Sequence, residues 1–425
     1  MTFTLLATLG LIVLMTIGVQ VAVSMGAVSS LLVLQLDGVP ITVIAQNVFN
    51  SINSYPLMAI PMFIFMGNLM TRGRIVSILL LLIGSLVRAV RGGMALSVML
   101  SCVFFAAVSG SSVASASAIG AAAVEELKRE QYPARFAAAL VAVGGTLGLM
   151  IPPSLGFILI GSIVGLPVDK LFIAGILPGL LEATLLLLTT YFLSRRNGYG
   201  GPPQPADPGL FVRKLPRASG ALSMPVLVMG GIYLGIFTPT EVSALAAGYA
   251  IILCVLVYRT LKMREVWLAA QDSILQTTMI FAVVAGGSLI GFILTRMGVS
   301  ASLTQFMERL DMTPWQFLLL ANLILLVLGT ALDGVAMIVL TAPLLYPMAA
   351  HLGIDPVHFS VILVANVEIA TLTPPIGLNV FVMSATSKLP VEEVSRGIYP
   401  FYLTRLVGLT IITFVPWFSL ALLPT

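Results

Sequence analysis

Apolar runs long enough to cross a bilayer follow one another along this chain with few polar intervals. A membrane-spanning helix needs about 20 predominantly apolar residues. Runs of that kind, some of them shorter, are read at 3–24, 56–70, 75–90, 133–151, 154–166, 171–194, 219–237, 241–258, 274–295, 315–330, 356–373, 375–387 and 399–423. Segment 40–54 mixes apolar and amide residues at helical spacing and reads either as an interfacial helix or as a plain loop. The one clear polar interval, 195–217 (RRNGYGGPPQPADPGLFVRKLPR), is rich in Pro and Gly and carries five Lys or Arg against one Asp. By the positive-inside tendency it belongs in the cytoplasm. It divides the chain into a first membrane half, 1–194, and a second, 218–425.

The halves resemble each other at an offset of 222 to 225 residues. LMTRGRI (69–75) resembles LTRMGVS (294–300), and QYPARFAAAL (131–140) matches IDPVHFSVIL (354–363). IPPS (151–154) matches TPPI (373–376), and LPVDKLFIAGILPGLL (166–181) matches LPVEEVSRGIYPFYL (389–403), with Gly-Ile-x-Pro in both. Each match is weak alone, but their common order and near-constant offset point to an internal duplication. Duplicated halves are typical of secondary transporters, whose sites lie near the bilayer midplane where the repeats meet. The second copy is expected to be inverted, which requires an odd number of crossings between equivalent segments.

Composition narrows the class. Only 9% of the 425 residues are charged and 59% are hydrophobic, whereas soluble domains carry about 25% charged residues. The chain is therefore an all-α, polytopic integral membrane protein facing lipid. The net charge of +4 is ordinary for basic cytoplasmic loops and does not argue for nucleic acid. Cys102 and Cys254 sit in apolar runs and read as small buried hydrophobes. His351 and His358 are too few and too isolated for a metal site or a catalytic triad. The first Lys or Arg is Arg72, so the N-terminal run lacks the basic start of a signal peptide and reads as a retained span. The glycine pairs 144–145 and 286–287 lack the context of phosphate loops and read as close helix packing. No Walker motif is present.

The candidate chemistry lies where the apolar pattern is interrupted. Residues 92–124 hold no charge, and their centre, AAVSGSSVASASAIGAAA (106–123), is almost all Ala, Ser and Gly. A lipid-facing helix would not carry so many serines, so this segment is buried or lines a cavity. It reads as a re-entrant helical hairpin with its tip at Ser109-Gly110-Ser111-Ser112, or else as one Ser-rich helix packed closely on its neighbours. The repeat places a second hairpin at 329–351, whose one acid, Asp333, reads either as a functional carboxylate or as a helix cap. Pro152-Pro153 and Pro374-Pro375 remove backbone donors. They free the carbonyls of Gly148 and Leu149 in one half and of Ala370 and Thr371 in the other. Such carbonyls attract a dehydrated sodium ion, helped by oxygens of Thr371, Thr373 and Asn379, or else mark a kink holding ordered water. The half-helices starting near Ser154 and Ile376 point positive N-termini into the same space and favour an anion. Ser112, Ser154 and Asn379 are accordingly the candidate substrate contacts. Glu241 reads as part of a helix cap; Glu368 is structural or on an ion path, and Glu182 has no assignment.

At these residues the sequence resembles the large membrane subunit, DctM type, of tripartite ATP-independent periplasmic (TRAP) transporters. The matching segments are AIPMFIFMGNLM (59–70), FFAAVSGSSVASASAIG (104–120), GGTLGLMIPPS (144–154), AGILPGLL (174–181), GGIYLGIFTPTE (230–241) and TLTPPIGLN (371–379). The resemblance implies an elevator-type, sodium-driven importer of an organic acid, such as a C4-dicarboxylate or a sialic acid, in a bacterial inner membrane, and no enzyme. It implies a periplasmic binding protein that delivers the substrate and a small membrane subunit, expected as a separate chain. Carried over residue by residue, it gives one sodium site from Ser109, Ser111, Gly148, Ile151 and Pro153. A second uses Gly329, Leu332, Ala370, Thr373 and Ile376, largely through backbone carbonyls, with Asp333 added from the reading above. Ala370 and Ile376 depart from the Gly and the Val or Met expected there. The alternative is a self-sufficient ion-coupled carboxylate transporter that needs no binding protein. The sequence does not name the cargo.

Overall fold

The structure is a computed structural model that describes residues 10, 13–14, 17, 19–33, 40–202, 205 and 207–423, and every regular element among them is helical. The span expected over 3–24 falls largely outside these residues. In chain order the helices are α1 (Val21–Val33), α2 (Ile41–Ile52), α3 (Ala59–Arg72), α4 (Ile75–Val87), α5 (Gly93–Ser109), α6 (Ser112–Arg129), α7 (Ala134–Thr146), α8 (Leu155–Val164) and α9 (Val168–Asn197). They continue with α10 (Pro208–Tyr233), α11 (Pro239–Ile251), α12 (Met263–Arg296), α13 (Val299–Arg309), α14 (Pro314–Leu328), α15 (Gly334–His351), α16 (Pro356–Ala370), α17 (Leu378–Ser387), α18 (Val391–Phe414) and α19 (Trp417–Leu420).

Among the described residues, five helices are long and apolar enough to cross a membrane. They are α9, α11 with its extension to Val257, α12, α15 and α18. The bent pair α2 and α3, at 58°, makes a sixth if it counts as one span. Thus segment 40–54 is a helix, and most of the shorter apolar runs are pieces broken by turns.

Local chemistry explains the boundaries. Pro239 and Pro356 each occupy the first helical position, where no backbone donor is needed. Thr238 and Glu241 form a reciprocal capping box on α11, as expected for Glu241. The polar interval is shorter than 195–217: α9 runs to Asn197, and α10 starts at Pro208 under an Asp207 cap. Its last ten residues fold into a helix because a capped, Pro-led start outweighs the interior Pro216.

The first hairpin turns at Gly110 and Ser111, with arms α5 and α6; its second arm ends at Arg129, beyond the expected 124. The second hairpin needs correction. Residues 334–351 form one continuous helix, and the turn is 329–333, so the first arm is α14 (314–328). A 23-residue window is too short for two arms, and no charged residue marks the border between the apolar run 315–330 and its turn.

Helices from the two halves interleave: α17 packs on α6 and α7, α15 on α8, and α18 on α7 and α9. A second group joins α12 to α1, α2 and α3, and α11 to α3, meeting the first where α12 touches α15 and where α3 touches α5. Without a hydrophobic drive between helices in lipid, such contacts depend on small residues. A methyl group on Gly145 would lie 2.8 Å from the Ala116 Cβ, and one on Gly287 would lie 2.1 Å from Val339 Cγ1. Cys102 and Cys254 are free and buried.

Candidate functional site

The first break begins where α7 tightens into a 3-10 turn at Leu147–Leu149 and stops at Pro152-Pro153. The hairpin tip closes over it. Gly110 takes the left-handed φ of 63°, and its carbonyl accepts a hydrogen bond from Leu155 N at 3.2 Å. A side chain at Gly110 would sit 2.6 Å from the Pro153 carbonyl, and one at Gly148 would sit 3.0 Å from the Ser111 carbonyl. Ser109 Oγ lies 2.5 Å from Ser115 Oγ and donates to the Ser111 carbonyl at 3.2 Å. Ser109, Ser111, Gly148 and Pro153 therefore meet at one point. Ile151 shares the turn but packs on α9, where a side chain on Gly179 would lie 2.7 Å from its Cγ1.

The second break lies between α16 and α17. Leu332, Asp333, Ala370 and Ile376 line one small crevice with Gly334, Thr371 and Leu378. Gly329 borders Ala370 so closely that a methyl group on it would lie 2.6 Å from the Ala370 Cβ. Asp333 caps α15: its Oδ1 accepts from Ala336 N at 2.7 Å. Thr373 Oγ1 instead donates to the Ile369 carbonyl at 2.8 Å and lies 3.3 Å from the Tyr402 hydroxyl.

Three of the four carbonyls released by the prolines find new donors. Leu149 accepts from Ser154 Oγ, Ala370 from Thr373 N at 3.1 Å, and Thr371 from Asn379 N at 3.1 Å. For the Gly148 carbonyl no donor is found among the described residues. The chain repairs its own breaks where a downstream polar group turns back, and it leaves Gly148 open.

The candidate substrate contacts are buried cross-links. Ser112 Oγ donates to Asn379 Oδ1 at 2.8 Å, and Asn379 Nδ2 donates to the Ala142 carbonyl at 2.9 Å. Ser154 caps α8 through Phe157 N. Asn379 and Ser154 are both fully buried, so this conformation offers these side chains no cavity. Among the described residues no three His, Cys, Asp or Glu side chains converge on a metal site. An ion at either break would be held by backbone and hydroxyl oxygens.

Two features escaped the sequence reading. A cavity of about 350 Å³ lies between α2 and α12 on one side and α8 and α15 on the other. Its polar lining is uncharged: Asn47, Asn50, Ser51, Ser162, Ser288 and Thr295. It sits at the end of the molecule where Ser162 Oγ donates to Ser54 Oγ at 2.7 Å. The opposite end gathers basic residues. There Lys128 Nζ reaches the Ser387 carbonyl, Asp207 N bonds the Ser85 carbonyl, and the Tyr199 ring packs on Phe136. These ties bring Arg88, Lys128, Arg129, Arg135, Arg195, Arg196 and Lys388 to that end. The second feature is a buried ion cluster, Arg405 with Glu182 and Glu368. Its signal was present: Glu182 and Arg405 follow the two Gly-Ile-x-Pro motifs by four and five residues inside apolar runs.

Interleaved halves, two hairpin tips set against two broken helices, and a polar cavity beside them define a polytopic membrane transporter. The chain belongs to the DctM component family of tripartite ATP-independent periplasmic transporters, whose description matches residues 8–418. It is 37% identical over 403 residues to the C4-dicarboxylate TRAP transporter large permease protein DctM of Pseudomonas aeruginosa, covering 94% of this chain and 93% of that one. It is 36% identical over 402 residues to the isethionate TRAP transporter permease protein DctMQ of Oleidesulfovibrio alaskensis, covering 95% of this chain and 63% of that one. The fold resembles the Alcanivorax borkumensis YdaH transporter, with a TM-score of 0.63, 17% identity and 90% of each chain covered. The family is one of transporter permease subunits, not enzymes.

Proposed function

We propose that this large permease subunit imports an organic anion by sodium symport across a bacterial inner membrane, using a periplasmic binding protein and a small membrane subunit. The observation that carries the sodium reading is the Gly148 carbonyl, left without a donor beneath the Ser109–Ser111 tip. A buried carbonyl at membrane depth needs a positive or donating partner, and a dehydrated monovalent cation supplies one. The second crevice, with Gly329, Leu332, Asp333, Ala370 and Ile376 around it, is the corresponding site. Its carbonyls are partly satisfied, so the first break is the tighter cation site. Thr373 contributes through the backbone turn that its amide closes.

The solute reading rests on the uncharged cavity. Amide and hydroxyl groups orient a polar ligand, and none of the described lining residues is acidic. By the positive-inside tendency the basic end is cytoplasmic. The cavity then lies on the periplasmic side, where a binding protein delivers its load. Relatives named for C4-dicarboxylate and isethionate transport support an organic anion as cargo. The longer DctMQ relative supports a second membrane component as partner.

The alternation of access is proposed to be of the elevator type, with α5–α9 and α14–α18 moving against the group around α12. Glycines at the α12–α15 contact leave a close, smooth surface for such a slide. The test is reconstitution of the assembled transporter in liposomes with its binding protein. Uptake should require both an inward sodium gradient and the binding protein, and equal uptake without either removes the corresponding part of the reading.

A further inference from the structure

The cavity of about 350 Å³ is uncharged, yet its donors and acceptors are unevenly placed. A hydroxyl that gives its one proton to a backbone carbonyl has only lone pairs left for a ligand. Ser51 donates to the Val48 carbonyl at 2.8 Å, Ser288 to that of Ala285 at 2.9 Å and Thr295 to that of Gly291 at 2.8 Å. Ser162 donates to Ser54 Oγ at 2.7 Å, which leaves Ser54 its own proton. The side chains of Asn47 and Asn50 have no hydrogen-bond partner among the described residues. The free donors of the lining are therefore Asn47, Asn50 and Ser54, all on α2 or the turn after it.

Helical spacing gathers these donors. Asn47, Asn50 and Ser54 follow at steps of three and four residues, so they share one face of the chain as α2 ends. Ser288 and Thr295, on α12, are about two turns apart and supply acceptors. From α8 and α15 come Ile163, Val339 and Pro343, and the hydroxyl of Ser162 is already committed to Ser54. The open hydrogen-bonding groups thus belong to the α2–α12 wall, which the elevator reading holds still. An anion needs donors, so its negative oxygens seat on the α2 amides. A hydroxyl on the same ligand finds its acceptors on α12. Neutral amides hold an anion more weakly than an arginine would, which suits a site that must pass its load on.

We propose that Asn47 and Asn50 form a receiving subsite for the anionic head of a small hydroxylated organic acid, whose hydroxyl donates to Ser288 or Thr295. This rests on reading the cavity as the entrance for the solute. The cargo meets the α2 wall first and is then taken up by the moving helices. Loss of one amide bonded to a charged group should weaken binding about tenfold, and loss of the acceptors for a neutral hydroxyl about fivefold. Because neither amide has a partner within the described protein, replacing it should leave the ligand-free unfolding temperature unchanged.

The experiment follows the unfolding temperature of the purified, assembled transporter in sodium chloride as four probes are titrated. Malate and succinate form one pair, isethionate and ethanesulfonate the other, and the members of each pair differ by one hydroxyl. In at least one pair the hydroxylated member should bind the wild type about fivefold more tightly than its partner. Asn47→Ala and Asn50→Ala should each weaken both members of that pair about tenfold. Ser288→Ala combined with Thr295→Val should erase the difference within the pair and leave the affinity of the member without the hydroxyl unchanged. In liposomes with the binding protein, the two Asn variants should raise KM for the hydroxylated probe and keep the maximal rate. Equal affinity within both pairs, no stabilisation by any probe, or Asn variants that bind as the wild type does would each overturn the subsite. A lowered maximal rate with an unchanged KM would overturn its receiving role. Wild-type uptake that runs equally without sodium or binding protein would instead overturn the proposed function, and the ligand affinities of the subsite would stand.

Discussion

At Gly148 a methyl group would meet the Ser111 carbonyl at 3.0 Å and Ser115 Oγ at 3.1 Å. The obstacle is backbone, so Gly148→Ala must lift the hairpin tip by a few tenths of an ångström. Sodium affinity should fall several-fold, with about 1 kcal/mol or less lost in stability, and a sodium titration of uptake beside thermal unfolding separates the two. Asp333 poses a different question, because it both caps α15 and carries charge. Asparagine caps as well as aspartate, so Asp333→Asn isolates the charge. Its expected outcome is normal expression with a higher sodium concentration for half-maximal uptake; an unchanged value would confine Asp333 to capping. The open carbonyl of Gly148 was legible in the sequence because Pro152 must remove its donor. The repair of Leu149, Ala370 and Thr371 was not legible. It depends on where Ser154, Thr373 and Asn379 turn back in space, which spacing alone does not give.

Between elements, the Ser112–Asn379 hydrogen bond joins the first hairpin to the second broken helix. Removing either partner leaves a buried amide or hydroxyl unsatisfied, at a cost of about 1–3 kcal/mol. Asn379→Ala should therefore lower the unfolding temperature more than Ser112→Ala, since it removes two hydrogen bonds, to Ser112 and to the Ala142 carbonyl. A double-mutant cycle should show coupling of about 1 kcal/mol, and additive effects would dissolve the link. The first hairpin could be placed from sequence because Ser and Gly cluster at its tip inside an uncharged window. The second could not be bounded, since its first arm, α14, runs into the turn through Val327, Leu328 and Gly329 without a polar signal. Glu182 and Arg405 were each visible as lone charges in apolar runs, but nothing local says that they meet across a separation of 223 residues.

For the whole molecule, the succession α5 to α9 recurs as α14 to α18: hairpin, broken helix, then a long Pro-containing helix. Lys128 beside Ser387 places the end of α17 with the basic loops, while Ser162 beside Ser54 places the end of α8 with the cavity. Inverted halves predict that single cysteines at Gly165 and Lys388, both exposed, react with an impermeant maleimide from opposite faces of the membrane. Labelling from one face would mean parallel halves. The central claim is that the two breaks are cation sites that drive uptake, and its most direct measurement is uptake into liposomes holding the assembled transporter with its binding protein. With an inward sodium gradient, radiolabelled organic acid should accumulate, and a sodium ionophore should abolish the accumulation. Accumulation that is the same with choline in place of sodium would contradict the account.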